Sequence, residues 1–255
     1  MITYKIKIQY KGTNFHGWQI QNNSACRTIQ GEITRAISII SKTSFDKIQI
    51  IGAGRTDAGV HSLGQIARVS LPVQLPSSAF LHGVNNLLGP EINIIDVEPS
   101  SLDFHPIRDS KWKEYKYIFS FDSPSPWFSD LMTFCSFDYD RSLLDLAASK
   151  FVGNHDFINY FCVGSEIITT VKDIYECNIE QKLNDGFFNN NYYVLTVKGS
   201  GFLKQMVRLI MGSIWAVAKG DCSIEQLEGS LIKKIPNKIG VVAPPQGLYM
   251  SNIQY

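Results

Sequence analysis

Gly52-Ala53-Gly54-Arg55-Thr56-Asp57-Ala58-Gly59-Val60-His61 stands between two apolar runs, Ile48 to Ile51 and Ile66 to Leu71. Short apolar runs rich in β-branched residues and bounded by glycine read as strands. The stretch therefore predicts strand, loop, strand. Glycines 52, 54 and 59 let the backbone take positive φ or approach another segment closely. Between them stand an Arg and a carboxylate, with a His just beyond. Asp beside Gly commonly makes a turn by bonding its own backbone. A loop held between two strands is also where a scaffold presents chemistry. Local sequence leaves both readings open.

Outward from this loop the chain alternates strands and helices. Tyr4 to Tyr10 is polar and apolar with period two, a half-buried strand. A loop with glycines and aromatics, Lys11 to Gln21, leads to Ile29, Ile33, Ala36, Ile37 and Ile40 at helical spacing, with Thr28 as N-cap. Strands at Lys47–Ile51 and Gln65–Leu71 follow, then a helix from a Ser77 cap to Leu88, then a strand at Ile92–Val97. The order is β-α-β-β-α-β.

The rest of the chain predicts the same order again. Its elements are a strand at Trp112–Phe121 broken by Pro124 and Pro126, and a helix from Leu143 to Phe151 ending at Gly153. Strands at Thr170–Gln181 and Tyr192–Lys198 follow, joined by a polar turn over 184–191. A nearly all-apolar, buried helix spans Phe202–Ala218. An extra helix at Ser223–Ile232 precedes a closing strand at Gly247–Ile253. The expected fold is thus α+β, with two ferredoxin-like halves of antiparallel sheet. The halves are taken as 1–104 and 105–255. Each would leave one sheet face open, a surface that nucleic acids often use.

Composition bounds the function. Across 255 residues, 44% are hydrophobic and 18% charged, an ordinary globular balance. No apolar run reaches the length of a membrane span. The amino terminus alternates like a strand and has no signal-peptide core, which predicts a cytoplasmic protein. Five scattered cysteines without a Cys-x-x-Cys pair argue against a disulfide framework or a structural zinc site. No metal is expected. The net charge is only +1, so a nucleic-acid partner would have to meet cations gathered on one face. Arg108/Lys111/Lys113/Lys116, Lys204/Arg208 and Lys233/Lys234/Lys238 are such clusters.

Three places carry chemistry. Asp57 is a carboxylate with Arg55 two residues away, near enough to serve it or a phosphate. In Lys113-Glu114-Tyr115-Lys116-Tyr117, aromatics alternate with cations, which suits stacking on a base or packing in a core. Arg208 lies in the apolar helix, where a buried cation needs a carboxylate or a route to water. Asp57 is one candidate for that carboxylate.

Together these stretches resemble the TruA-type tRNA pseudouridine synthases. The resemblance runs through Lys11-Gly12-Thr13-Asn14-Phe15-His16-Gly17-Trp18-Gln19, Gly54 to His61, Phe104-His105 and Tyr115-Lys116-Tyr117. It continues through Gly153 to Phe157, Phe202-Leu203, Met206-Val207-Arg208, Ala243-Pro244, Gly247-Leu248 and Tyr255. It implies Asp57 as catalytic nucleophile, Tyr115 as the stacking tyrosine and Arg208 as the cation paired with the carboxylate. Arg55 would help turn the target uridine out of its stem. His105, Arg108 and Lys111 would be further tRNA contacts. The implied reaction is uridine isomerisation at positions 38, 39 and 40 in the tRNA anticodon arm. It needs no cofactor, and a homodimer would carry it out with the site in a cleft between the halves.

Two departures touch the RNA contacts. The family's Phe-His-Ala-Arg reads Phe104-His105-Pro106-Ile107-Arg108, which displaces the basic residue by one. Its Thr-x-x-Arg reads Thr169-Thr170-Val171-Lys172, which keeps the charge and loses the bidentate fork. Two rival readings remain: a non-catalytic RNA-binding protein on two open sheets, and a hydrolase with Asp57 and His61 as acid and base.

Overall fold

A computed structural model describes residues 1–21, 25–122, 125–162, 169–183 and 191–255. Pro124 and the expected turn at 184–190 lie outside the described residues. Mostly antiparallel strand pairing and five α-helices among the described residues make the protein mixed α+β. No helix among them is long and apolar enough to cross a membrane. The chain forms two compact units, Met1–Lys111 with Tyr249–Tyr255, and Trp112–Leu248.

In the first unit β1 (Ile2–Tyr10) lies antiparallel between β3 (His61–Leu71) and β4 (Ile92–Pro99). β2 (Gln49–Gly52) pairs antiparallel with the far end of β3. The period-two pattern of β1 turns Tyr4, Ile6, Ile8 and Tyr10 into the core. Helices α1 (Ile29–Ser41) and α2 (Ser77–Leu87) contribute Ile29, Ile33, Ile37, Phe80 and Val84 to the same cluster. Thr28 caps α1, accepting a hydrogen bond from Gly31 N. Ser77 does not cap α2. It is the first helical residue, and Pro76, whose fixed φ suits a helix entrance, takes the cap position.

The closing strand corrects an expectation. β10 (Leu248–Gln254) runs parallel to the start of β3, with Tyr249 opposite His61 and Met250 opposite Ser62. Residues 249–255 therefore belong with the first unit, and the break in the chain falls at Lys111 instead of 104. The reason is tertiary: Ser62 Oγ donates to Met250 O at 3.1 Å, and Tyr255 Oη donates to Pro106 O at 2.8 Å.

In the second unit β5 (Trp112–Ser120), β9 (Tyr192–Gly199), β8 (Val171–Lys182) and β7 (Gly153–Asp156) pair antiparallel in that order. A two-residue strand, β6 (Thr133–Phe134), runs parallel to β5. β6 and β7 are too short for periodicity to reveal them. They depart from a simple second copy of β-α-β-β-α-β. The helices are α3 (Arg141–Ser149), α4 (Met206–Ala218) and α5 (Ile224–Ile232). Ser223 and Gln226 close a capping box on α5. In α4 every residue is buried except Arg208.

Two results follow from the packing of this unit. A Cβ on Gly212 of α4 would lie 1.8 Å from Val241 O, a backbone atom. Alanine gains about 1 kcal/mol over glycine in a helix. The overlap outweighs that gain, and Gly212→Ala should lower the urea-unfolding free energy by about 1–3 kcal/mol. On β5, Lys113 is only 7% exposed. Burial, and then the charge of Lys172, push its ammonium down to about 8. The unfolded chain holds that proton to about pH 10.4. Unfolded protein thus binds more protons between pH 8 and 10.4, and this group makes stability rise with pH across that window. Lys113→Met should be more stable than wild type at pH 7. In paired denaturation series, that advantage should shrink by pH 10.

Candidate active site

The loop from Ala53 to Val60 joins β2 to β3 and rests on a floor of polar groups. Ala53 N donates to Ile66 O at 2.8 Å, and Gln65 Nε2 donates to Gly54 O at 2.7 Å. Thr56 O accepts from Trp18 N at 3.0 Å, and Thr56 Oγ1 lies 2.9 Å from Tyr10 Oη. Val60 N donates to Asp57 O at 3.2 Å, which closes a turn with Gly59 at φ +79. Glycine takes that φ without the steric cost a side chain would bring. The turn reading holds for Asp57 to Val60. Asp57 stands at the first corner of the turn, half-buried, and Arg55 beside it is exposed.

The Lys11–Gln19 stretch is the outer brace of this loop. A Cβ on Gly12 would come within 1.9 Å of Val60 O. Gly17, at φ +92, would put one 2.6 Å from Thr56 O. Only glycine allows this approach of backbone to backbone. Gly12 N donates to Nδ1 of His61 at 3.0 Å, and the His61 ring stacks on Tyr249 at 4.7 Å. Since Nδ1 accepts, His61 carries its proton on Nε2 when neutral. The ring is 1% exposed. It braces the loop, and the hydrolase reading loses its acid–base group. From sequence, Gly12, Gly17 and Trp18 carry no assigned role, and Tyr10 and Gln65 read only as strand residues. The close spacing of glycines and aromatics in 11–19 was the available signal.

His105 and Arg108 lie in one turn, closed by Asp109 N donating to His105 O at 3.0 Å. His105 Nδ1 accepts from the amides of Ile107 and Arg108, and His105 N donates to Asp109 Oδ2 at 2.8 Å. Arg108 is exposed, bonded through Nε to Asp109 Oδ1 at 2.7 Å and through Nη2 to Asp103 O. The Arg108 hydrogen bond holds the Asp109 carboxyl below its usual range. Arg108 is thus pointed by its own loop, with part of its charge already answered. Lys111 is exposed, and its backbone N donates to Gln254 O.

Tyr115 and Arg208 belong to the second unit. Tyr115, Tyr117 and Phe119 share the buried face of β5. Tyr117 is fully buried, its Oη bonded to Thr133 Oγ1 and Pro244 O at 2.8 Å each. Burial lifts its phenol well above the ordinary range. Tyr115, 7% exposed, meets the Phe202 ring edge-on at 4.9 Å. Core packing therefore describes Tyr117 completely, and Tyr115 lies near the end of the same face. Arg208 Nε donates to Ala243 O at 2.6 Å, while Ala243 N donates to Arg208 O at 3.1 Å. These reciprocal bonds tie the first turn of α4 to the Ala243-Pro244 stretch.

The family model described as tRNA pseudouridine synthase matches residues 6–107 and 147–255. The chain is 35% identical to tRNA pseudouridine synthase A of Finegoldia magna, over 100% of each chain. It is 33% identical to tRNA pseudouridine synthase A of Ruminiclostridium cellulolyticum and 32% identical to that of Thermoanaerobacter sp., over 98% of each chain in both cases. The family-model match takes in residues of both units. This chain therefore belongs to the tRNA pseudouridine synthase family.

Proposed function

We propose that this isomerase acts on uridines 38, 39 and 40 in the anticodon arm of tRNA, with Asp57 as its nucleophile. The observation that carries this reading is the bracing of the Asp57 loop from both sides. Gln65 holds the Gly54 carbonyl from beneath, and the 11–19 segment holds the Thr56 carbonyl through Trp18 N and packs closely through glycines 12 and 17. Such preorganisation is what a reacting group needs.

The reaction breaks the N1–C1′ bond, turns uracil in place and joins C5 to C1′. The C5 proton is lost and N1 gains one, so atoms and electrons balance without a redox or group-transfer partner. Attack by Asp57, on the ring or at C1′, requires an ionised carboxylate. A cation at Arg208 would keep it so as the site dries. Unstacking the uridine costs a few kcal/mol, and stacking on Tyr115 returns about 1–3 kcal/mol of that. Arg55, exposed beside the nucleophile, suits the task of turning the nucleotide out. His105, Arg108 and Lys111 are proposed tRNA contacts. Arg108's existing bond to Asp109 makes it a weaker one than a lone cation.

The finer architecture belongs to this proposal too. The order β4-β1-β3-β2 with two helices on one face supports a ferredoxin-like first half. We take the second half as a modified copy, and the working enzyme as a cytoplasmic homodimer on which one tRNA touches both subunits.

Incubation with unmodified tRNA tritiated at uridine C5 tests the assignment. Wild type should release tritium, and Asp57→Asn should release none above background. Variant release equal to wild type would remove Asp57 from the mechanism. Sequencing the product for pseudouridine at 38, 39 and 40 tests the position.

A further inference from the structure

Four polar side chains, Tyr10, Thr56, Ser62 and Gln65, are buried beneath the Asp57 loop, none more than 7% exposed. Ser62 Oγ spends its hydrogen on Met250 O and accepts from the amides of Gly64 and Gln65. Gln65 spends one amide hydrogen on Gly54 O. Tyr10 Oη lies 2.9 Å from Thr56 Oγ1, one residue along the chain from Asp57, and Gln65 and Ser62 also hydrogen-bond the phenol. Valine would fill the volume of Thr56 equally well, so packing does not call for a hydroxyl there. The bond instead fixes the rotation of residue 56, whose carbonyl is already held by Trp18 N.

We propose that Thr56, held by Tyr10, is a positioning residue for the reaction: the buried hydroxyl pair sets the backbone from which the Asp57 carboxylate projects before tRNA arrives. The inference rests on Asp57 being the nucleophile. Burial keeps the Tyr10 phenol far above its ordinary range, so the pair stays a neutral hydrogen bond at any working pH. A misplaced reacting group loses turnover before it loses substrate affinity, because tRNA is gripped over a much larger surface than the loop.

Steady-state tritium release by Tyr10→Phe, Thr56→Val, Thr56→Ser and Asp57→Asn decides it, at a temperature where circular dichroism shows each variant folded. Tyr10→Phe and Thr56→Val should lower kcat about 10- to 100-fold, with KM for tRNA within about 3-fold of wild type. The double variant should be no slower than the worse single one, since the pair acts as a unit. Thr56→Ser restores the hydroxyl and should recover the rate. It also keeps the test decisive if Tyr10→Phe does not fold. Unchanged kcat in Thr56→Val, a loss confined to KM, or a Thr56→Ser rate as low as that of Thr56→Val would overturn the inference while an inactive Asp57→Asn left the nucleophile standing. An active Asp57→Asn would overturn both.

Discussion

The contact between two glycine-bearing loops, 11–19 against 53–61, is the constraint on which the placement of Asp57 depends. It is made through backbone amides. The Gly12 amide meets His61, the Trp18 amide meets Thr56 O, and the Gly59 amide meets Phe15 O at 3.4 Å. No side chain larger than hydrogen fits at positions 12 or 17. A loop presenting one carboxylate between two strands would otherwise be free to swing. Here it is clamped by the chain segment that leaves β1, the central strand of its own sheet.

The clamp is polar, which is energetically unusual for an interior. A neutral hydrogen bond contributes about 0.5–1.5 kcal/mol net, and a buried polar group left without one costs about 1–3 kcal/mol. Tyr10, Thr56, His61, Ser62 and Gln65 all lie within the buried set. An apolar floor would give comparable stability with less at risk. What a polar floor adds is direction, because each bond specifies an angle as well as a distance. That property suits a loop that holds a half-buried carboxylate in one place.

The second unit solves a different problem, the carriage of a cation by an apolar helix. Twelve residues of α4 are buried and Arg208 is not. Each large aliphatic side chain buried there contributes about 1.5–3 kcal/mol. The helix is therefore anchored by its flanks, and its first turn is left to hold the guanidinium against Ala243 O. Tyr117 and Tyr115 divide the work of one strand face similarly. The first is bonded shut at its hydroxyl, and the second packs by its ring edge.

Much of this was legible in the chain. Period-two alternation marks β1 and β5, helical spacing marks α1, the nearly all-apolar run marks α4, Thr28 and Ser223 mark helix starts, and glycines 52, 54 and 59 mark the loop. These signals are local, written by backbone sterics and by which face of an element meets water. Tertiary structure decided the rest. It sent the last strand to pair with β3, where Ser62 and Met250 bond across 188 positions. It also set Tyr10 beneath Thr56 from 46 positions away. It reduced His61 from an acid–base candidate to a brace. A hydrogen bond between residues so far apart leaves no period and no spacing in the sequence. Only the folded chain brings the two groups within 3 Å, and so only the folded chain shows what holds Asp57 in place.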